Sequence, residues 1–595
     1  MGSLSLPEIV TSHAERLPHG VAYSFLESGE REGAQLTWSR LDRRVRDLAA
    51  ALRREVPRGA RVLLLFPPGL DFVPAFFASM AAGTIAVPSY PPGGHRSDRL
   101  VTRLRGMIAD AGISLVVAPS AVHARRSIVE SVIPELRGIA WINVDDIDDG
   151  PASGCRFEGS PADVVLLQYT SGSTSDPRGV MVTHGNLIHN LEASATLAGH
   201  DHRSIGVSWL PVNHDMGLID GVLQPAFSGF PVSLMAPASF LQRPARWLRA
   251  ISRLRATHSG APNFAYDLCV RRIDDAERAS MDLSTWDIAY NGSEPVRAST
   301  LNAFHRAFGP YGFRWESFRP AYGLAEATLL AASAASGDAP VAFRADATLL
   351  ARGRAARSSD AGHGVSLISC GRPAPGMQIE IVDPVRRTRA SSGEIGEIWI
   401  GGPSVAAGYW NRPAESAATF EARLADSDDE RFLRTGDLGV IRQQQLYVTG
   451  RVKDVLIVRG LKHYPQDVEL TAERSHPALR GGGCAAVSVV SPSGGSGESV
   501  AIHAEIASGY GWETAEQVDS REASAICLAI ARAVNDGHGF APAEIVLVPA
   551  GSLPRTTSGK LQRFQCQREC AENGSALFRW CPSGHHESLE QRVAS

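Results

Sequence analysis

No apolar stretch of this sequence reaches the ~18 residues that span a bilayer, so a membrane-spanning helix is excluded. Neither sign of charge dominates: 59 Lys and Arg face 63 Asp and Glu, for a net charge of −4. That balance gives no reason to expect nucleic acid or an anionic membrane as the main partner. Cysteine is sparse, eight residues in all, and scattered as free thiols in a reducing compartment would be. Cys566, Cys570 and Cys581 with His585 and His586 are the one gathering of zinc-type ligands, and their spacing is irregular. The opening Met-Gly-Ser-Leu-Ser-Leu lacks the charged start and long apolar core of a secretory signal. It also misses the myristoylation pattern, because position 6 is Leu6. A cytoplasmic enzyme without stable membrane insertion is expected. A Walker loop is missing too, since the G-x-x-x-x-G-K-[ST] spacing does not occur.

What is present is ample material for several cores. At 595 residues, 44% hydrophobic and 21% charged, the chain is a soluble globular protein of two or more domains. Over the first ~450 residues, short apolar runs alternate with helical patterns, as in parallel α/β architecture. Val62–Phe66, Ile85–Val87, Ile113–Ala118 and Val164–Gln168 read as strands, and Asp71–Met80 as a helix. Residues 335–368 break this rhythm; rich in Ala, Gly, Ser and Arg, they read as a surface loop. Beyond Asp454, strands at Ala485–Val490, Val500–Glu505 and Glu544–Val548 and a helix at Ala523–Val534 suffice for a small α+β domain. The expected division is 1–452, 453–565 and a frayed tail, 566–595. The arginines between Arg96 and Arg105 and between Arg352 and Arg357 read as solvated faces.

The strand Val164–Gln168 runs into Tyr169-Thr170-Ser171-Gly172-Ser173-Thr174-Ser175-Asp176-Pro177-Arg178-Gly179. Such small and hydroxylated residues let backbone N–H groups and side-chain hydroxyls wrap a polyphosphate, because nothing bulky holds the anion away. An ordinary turn can have the same composition. Further motifs follow in order: Leu210-Pro211-Val212-Asn213-His214-Asp215-Met216-Gly217, Asn291-Gly292-Ser293-Glu294-Pro295 and Arg319-Pro320-Ala321-Tyr322-Gly323-Leu324-Ala325-Glu326. Tyr322 could stack on a base, Gly323 allows close approach, and Glu326 could hold a magnesium ion near phosphates. In Arg434-Thr435-Gly436-Asp437 the carboxylate suits a ribose diol. Gly450-Arg451-Val452-Lys453-Asp454 marks the domain boundary. Leu553-Pro554-Arg555-Thr556-Thr557-Ser558-Gly559-Lys560 ends in a lysine that reads as an exposed loop residue.

Taken together, the motifs give a chain that resembles the adenylate-forming superfamily over about residues 5–565. More narrowly it resembles the fatty acyl-AMP ligases. Val87-Pro88-Ser89-Tyr90-Pro91-Pro92, Gln168, Ser208-Trp209-Leu210-Pro211 and Phe240-Leu241-Gln242-Arg243-Pro244 carry that likeness. So do Ala261-Pro262-Asn263-Phe264-Ala265 and His463-Tyr464-Pro465-Gln466-Asp467. The segment 335–368 lies where those enzymes carry an insertion.

The resemblance implies a large N-terminal α/β domain, a small mobile C-terminal domain, and two half-reactions. A fatty acid and ATP give acyl-AMP and pyrophosphate; the acyl group then passes to the phosphopantetheine thiol of a separate holo-acyl carrier protein. The insertion would restrict the domain movement that coenzyme A transfer requires. Thr170, Ser171, Gly172, Ser173 and Thr174 would hold the phosphates. Asn291, Gly292, Ser293, Ala321, Tyr322 and Gly323 would frame adenine, and Asp437 with Arg451 would bind ribose. Glu326 would bind Mg²⁺, Lys453 would be the hinge, and Lys560 would reach the α-phosphate and substrate carboxylate. His214 would act near the acyl channel, with Asn263 and Phe264 lining it.

Departures from the family pattern are Ser175 and Arg178, the latter where related loops carry Lys, and Arg459 and Leu461 beside His463-Tyr464-Pro465. Two other readings stay open: an acyl-coenzyme A ligase, and adenylation of an aromatic or amino acid. Against an amino acid, no aspartate is evident in the matching region to meet an amino group.

Overall fold

The structure, a computed structural model of the chain, describes residues 5–92, 97–147, 159–170, 177–359, 364–426, 430–490, 498–556, 559–571 and 576–582. Among these, no helix is long and apolar enough to cross a membrane.

Apolar runs buried on both faces build two large sheets. In the six-stranded sheet the spatial order is Ala140–Asn143, Leu115–Ala118, Arg61–Leu65, Ile85–Ser89, Val164–Thr170 and Arg178–Thr183. The first five are parallel, and the last turns back antiparallel across the phosphate loop. In the nine-stranded sheet the parallel centre runs from Phe318–Gly323 through Ile288–Gly292, His258–Pro262, Gly206–Ser208 and Val232–Met235 to Val21–Glu27, with antiparallel strands at both edges. The helix Phe72–Ala82 is buried along its whole length, so it belongs to the shared core. Gly83 ends it in the left-handed conformation (φ 74°) that glycine adopts without penalty. The strands placed from the sequence all form: Ile85–Ser89 and Val164–Thr170 run two residues past their apolar runs, Leu115–Ala118 starts two residues late, and Glu544–Val548 has the expected bounds. Pro88 lies inside Ile85–Ser89, which pairs with Arg61–Leu65 along its whole length and with Leu166 at Ala86.

A four-stranded antiparallel sheet follows, Gln378–Val382, Gly396–Gly401, Leu433–Arg442 and Gln445–Arg451. Against it lies the segment read as a surface loop. It is instead a hairpin, Ala342–Asp346 paired with Gly364–Ile368, with a helix Ala347–Ala351 between its strands. Phe343, Ala345, Leu350 and Ala355 share one apolar cluster with Leu438, Val440, Tyr447 and Tyr464. Its composition disguised this order, because alanines supply much of the buried surface.

The last described part is a four-stranded sheet, Leu479–Val490, Glu498–Ile506, Glu544–Val548 and Phe578–Trp580, with the helix Ser520–His538 over it. Here the expected frayed tail from 566 needs correcting. The helix Arg563–Ala571 seats Cys566 in an apolar cluster, and Phe578–Trp580 adds an antiparallel edge strand to Glu544–Val548. At three residues, Phe578-Arg579-Trp580, that strand is too short for its alternation to register as a pattern. Among the described residues no group of three or more His, Cys, Asp or Glu could hold a metal, and His585 and His586 lie outside them.

Candidate active site

The motifs converge where the two large sheets present their carboxyl ends, the usual ligand position in parallel α/β folds. Of the phosphate loop, Ser171, Gly172, Ser173 and Thr174, with Ser175 and Asp176, lie outside the described residues. The strand Val164–Thr170 delivers the chain to that loop and Arg178–Thr183 carries it away. Arg178 is engaged elsewhere: Nε lies 3.1 Å from Glu415 Oε2, and the guanidinium sits over the Tyr409 ring at 5.4 Å. Arg103, read as part of a solvated face, instead turns inward and donates to the carbonyl of Tyr169 at 3.4 Å.

Three fatty acyl-AMP ligase motifs meet at the His214 turn. Tyr90 Oη accepts the N–H of Val212 at 3.3 Å, and Gln168 Nε2 donates to the carbonyl of Asn213 at 3.0 Å. His214 Nδ1 is 2.6 Å from Asp215 Oδ1, which also accepts the N–H of Met216 at 2.7 Å. Burial pushes the Asp215 pKa up, but the charge and hydrogen bond of His214, the Lys560 ammonium and the Met216 N–H outweigh it and hold it down at about 2. Asp215 therefore stays a carboxylate that fixes the imidazole.

The turn after Ile288–Gly292 is built for close approach. A Cβ on Gly292 would stand 3.0 Å from the carbonyl of Ala321, and one on Gly323 only 1.7 Å from that of Leu329. Ser293 adopts φ 67°. Asn291 is fully buried; its Nδ2 donates to Asn263 Oδ1 at 3.4 Å, while its Oδ1 has no protein partner. A buried acceptor left open is costly unless a ligand supplies the donor, and the amino group of adenine is such a donor. Asn263 was expected in the acyl pocket. Its side chain bonds Thr300, Asn291 and the N–H of Arg297, so it braces the turn that follows Ile288–Gly292.

Tyr322 Oη donates to Asp437 Oδ2 at 2.9 Å, and Arg451 Nε donates to Asp437 Oδ1 at 2.7 Å. A carboxylate has about four acceptor sites, so Asp437 retains capacity for hydroxyls. Glu326 accepts from Tyr409 Oη at 2.9 Å. Burial raises its pKa against the pull of that hydroxyl and of Arg451. Two residues on, Thr328 is forced to φ 67°, ψ −65°, a costly region for a β-branched residue and typical of functional turns. One glutamate with an unshared oxygen fits Mg²⁺, which usually takes one or two carboxylates and completes its shell with phosphates and water.

Lys560, read as an exposed loop residue, is instead half-buried in this site. Its turn is closed by the Thr556 N–H to its carbonyl (2.8 Å) and by its own N–H to Thr556 Oγ1 (3.0 Å). Burial lowers the ammonium pKa; Asp215, Glu294 and Asp437 pull it back up and Arg451 lowers it further. Glu294 was not singled out from the sequence. It is half-buried, accepts the N–H of Phe264 at 2.5 Å, and has its pKa raised by desolvation against Phe264, Arg297, Lys560 and Arg555. The Asn-Gly-Ser-Glu-Pro motif contained it, but nothing in the sequence placed it facing Lys560.

Behind these groups lies an aromatic layer. Trp209 stacks on Phe240 (ring centroids 4.0 Å) and meets Phe264 edge-on at 6.3 Å. Lys453 is exposed, two residues after the last strand of the four-stranded sheet. Just beyond, Arg459 and Gly460 (φ 51° and 77°) make the two-residue turn of the hairpin Leu456–Val458/Leu461–His463. Tyr464 then lies on Gly450, where a Cβ would stand 2.7 Å from its ring.

The chain belongs to the AMP-binding enzyme family, whose profile matches residues 10–410. It is 41% identical over 564 residues to the medium-chain-fatty-acid–[acyl-carrier-protein] ligase JamA of Moorena producens, covering 94% of this chain and 93% of that one. It is 34% identical to the ligase of the same description, TtuA, of Teredinibacter turnerae, covering 98% and 97%. A solved fatty acyl-adenylate ligase from L. pneumophila, in complex with acyl adenylate and pyrophosphate, superposes with a TM-score of 0.72 at 34% identity over 98% of both chains. Within the AMP-binding enzymes its place is among the fatty acyl-AMP ligases.

Proposed function

We propose that this protein activates a fatty acid with ATP to acyl-AMP, releasing pyrophosphate, and passes the acyl group to the phosphopantetheine thiol of a separate holo-acyl carrier protein. The observation that carries the first step is the seating of Lys560 near Asp215, Glu294 and Asp437, the last of which is also bonded by Tyr322 and Arg451. In that step a substrate carboxylate oxygen bonds to the α-phosphorus as the bond to pyrophosphate breaks. Two anions must meet, and charge builds on the phosphoryl oxygens. Lys560 supplies the counter-charge from a partly dry site, where it acts more strongly than in water. His214, its Nδ1 held by Asp215, turns Nε2 toward the incoming carboxylate.

Thr170 and the loop Ser171, Gly172, Ser173, Thr174 cradle the phosphates. Asn291, Gly292, Ser293, Ala321, Tyr322 and Gly323 frame adenine, and Asp437 with Arg451 takes the ribose. Glu326 holds Mg²⁺, which when bound neutralises phosphate charge. Phe264, with Trp209 and Phe240 behind it, lines the acyl side. In the second step the carrier thiolate attacks the acyl carbon and AMP departs, so no protein nucleophile is needed. The segment 453–565, with the helix and strand that follow it, moves about Lys453 between the steps and shields the mixed anhydride from water.

The carrier protein is preferred over coenzyme A because the hairpin 342–368 packs on the sheet Leu433–Arg451 and on Tyr464 beyond the hinge. That contact ties the two sides of Lys453 and limits the swing. The protein works in the cytoplasm, feeding polyketide, peptide or lipid assembly. Removing residues 342–368 tests the tie: transfer to coenzyme A should rise while acyl-AMP formation persists. Coenzyme A transfer unchanged in a folded deletion variant would remove the insertion from the account.

A further inference from the structure

The acyl side of the site contains a carboxylate that neither nucleotide binding nor Lys560 uses. Asp220 lies on Met216–Leu223, a helix with π-type winding, a form that recurs at functional sites. It is 8% exposed. Its Oδ1 is 3.1 Å from His258 Nε2, and His258 Nδ1 is 3.0 Å from His200 Nε2. Burial depresses the His200 pKa well below the usual histidine value, so the outer imidazole is neutral. Among the described residues no arginine or lysine bonds Asp220, and Oδ2 has no hydrogen-bond partner. Oδ2 faces Gly260: a Cβ there would stand 3.5 Å from it, 2.9 Å from Met216 Cε and 2.8 Å from Tyr290 Cβ. Met216 in turn touches Ser293, with Oγ 3.7 Å from its sulfur.

Ser293 touches Met216, and Met216 and Asp220 both face Gly260 beside Tyr290, so the three form a line inward from the Asn291–Pro295 turn. Methionine is unbranched and adapts readily, so Met216 is the side chain that can yield to an acyl chain. A chain displacing it would meet Asp220. A methylene there would bury a half-satisfied carboxylate against hydrocarbon, which is costly. A hydroxyl or ammonium would instead donate to the open oxygen, and hydrogen bonds to charged groups are the strong ones.

We propose that Asp220, oriented from behind by His258 and His200, is a specificity determinant of the acyl pocket. It selects a fatty acid whose chain carries a hydrogen-bond donor, a hydroxyl or an amine. This inference rests on the acyl-adenylate reading above.

The test is pyrophosphate release from the full chain with ATP and saturated acids of graded length, each alongside its terminal hydroxy and terminal amino derivative. The expected result is a kcat/KM higher by about tenfold or more for one of the donor-bearing acids at the best length. Asp220→Leu should reverse that preference in favour of the plain acid. Asp220→Asn, of equal volume, should keep turnover of the hydroxy acid, since an amide oxygen still accepts, and weaken that of the amino acid, since the charge facing its ammonium is gone. A wild-type preference for plain acids, or a ratio unchanged in Asp220→Leu, would overturn the proposal. Absence of pyrophosphate release with every acid would instead sink the acyl-adenylate reading, and this inference with it.

Discussion

Gly559 lies against Phe264: a Cβ on the glycine would stand 2.9 Å from the Phe264 ring, and its φ of 87° is one that side chains resist. The turn that delivers Lys560 is thereby keyed to Phe264, the residue proposed to line the acyl side. Gly559→Ala should slow acyl-AMP formation by about tenfold, since it combines a strained φ with a steric conflict. The protein should stay folded, because the turn lies at a surface between elements. Pyrophosphate release at the wild-type rate would show that the contact does not matter.

Lys560→Ala should cut acyl-AMP formation by about 10²–10³-fold, the loss typical of removing one preorganised charge from a transition state. Transfer from supplied acyl-AMP to a carrier should persist. Single-turnover assays of each half-reaction check this; equal losses in both would point to misfolding or a general role.

Asp437→Asn should raise the KM for ATP by about tenfold with a smaller change in kcat. The substitution weakens the bonds to Tyr322 and Arg451 (2.9 and 2.7 Å) and an acceptor proposed for ribose. A pure loss of kcat would place Asp437 elsewhere in the cycle.

Tyr409→Phe removes the hydroxyl that orients Glu326. Partners of a metal-binding carboxylate commonly matter about 10–100-fold in metal affinity, so the Mg²⁺ needed for half-maximal activity should rise by about tenfold. Glu326→Gln should raise it further. Superimposable Mg²⁺ titrations would remove both residues from the metal site.

Burial, helped by Arg579, holds the His503 pKa at about 4, against 6.5 for an unperturbed histidine. Between those values the unfolded chain binds the proton first. The stabilisation is complete above pH 6.5 and lost as pH falls to 4. The depression corresponds to about 3 kcal/mol in all. Urea unfolding at pH 7 and pH 4.5 should show wild type losing about 2 kcal/mol more than His503→Gln. Equal losses would mean that this histidine does not drive acid instability.

Much of the fold was legible because parallel strands are continuous apolar runs: Val62–Phe66 and Val164–Leu167 have no polar interruption. The motifs were legible because tight approach demands glycine, as at Gly292 and Gly323. Three things were not. Phe578–Trp580 is only three residues long, too short to be read without the edge of Glu544–Val548 that it pairs with. The hairpin 342–368 buries alanines, which periodicity barely registers. The inward turns of Lys560 and Arg103 are decided by tertiary contacts, as are the pairing of Glu294 with Phe264 and of Asp220 with His258. A local sequence cannot report which carboxylate a distant strand will face.

The most direct measurement is an acceptor competition. Enzyme, ATP, Mg²⁺ and a mixture of fatty acids are incubated with holo-acyl carrier protein and coenzyme A together, and the products are followed by mass spectrometry. The expected products are acyl-AMP and acyl-carrier protein, with little acyl-coenzyme A. Abundant acyl-coenzyme A with an unmodified carrier would contradict the proposed second step and leave the hairpin 342–368 without its role.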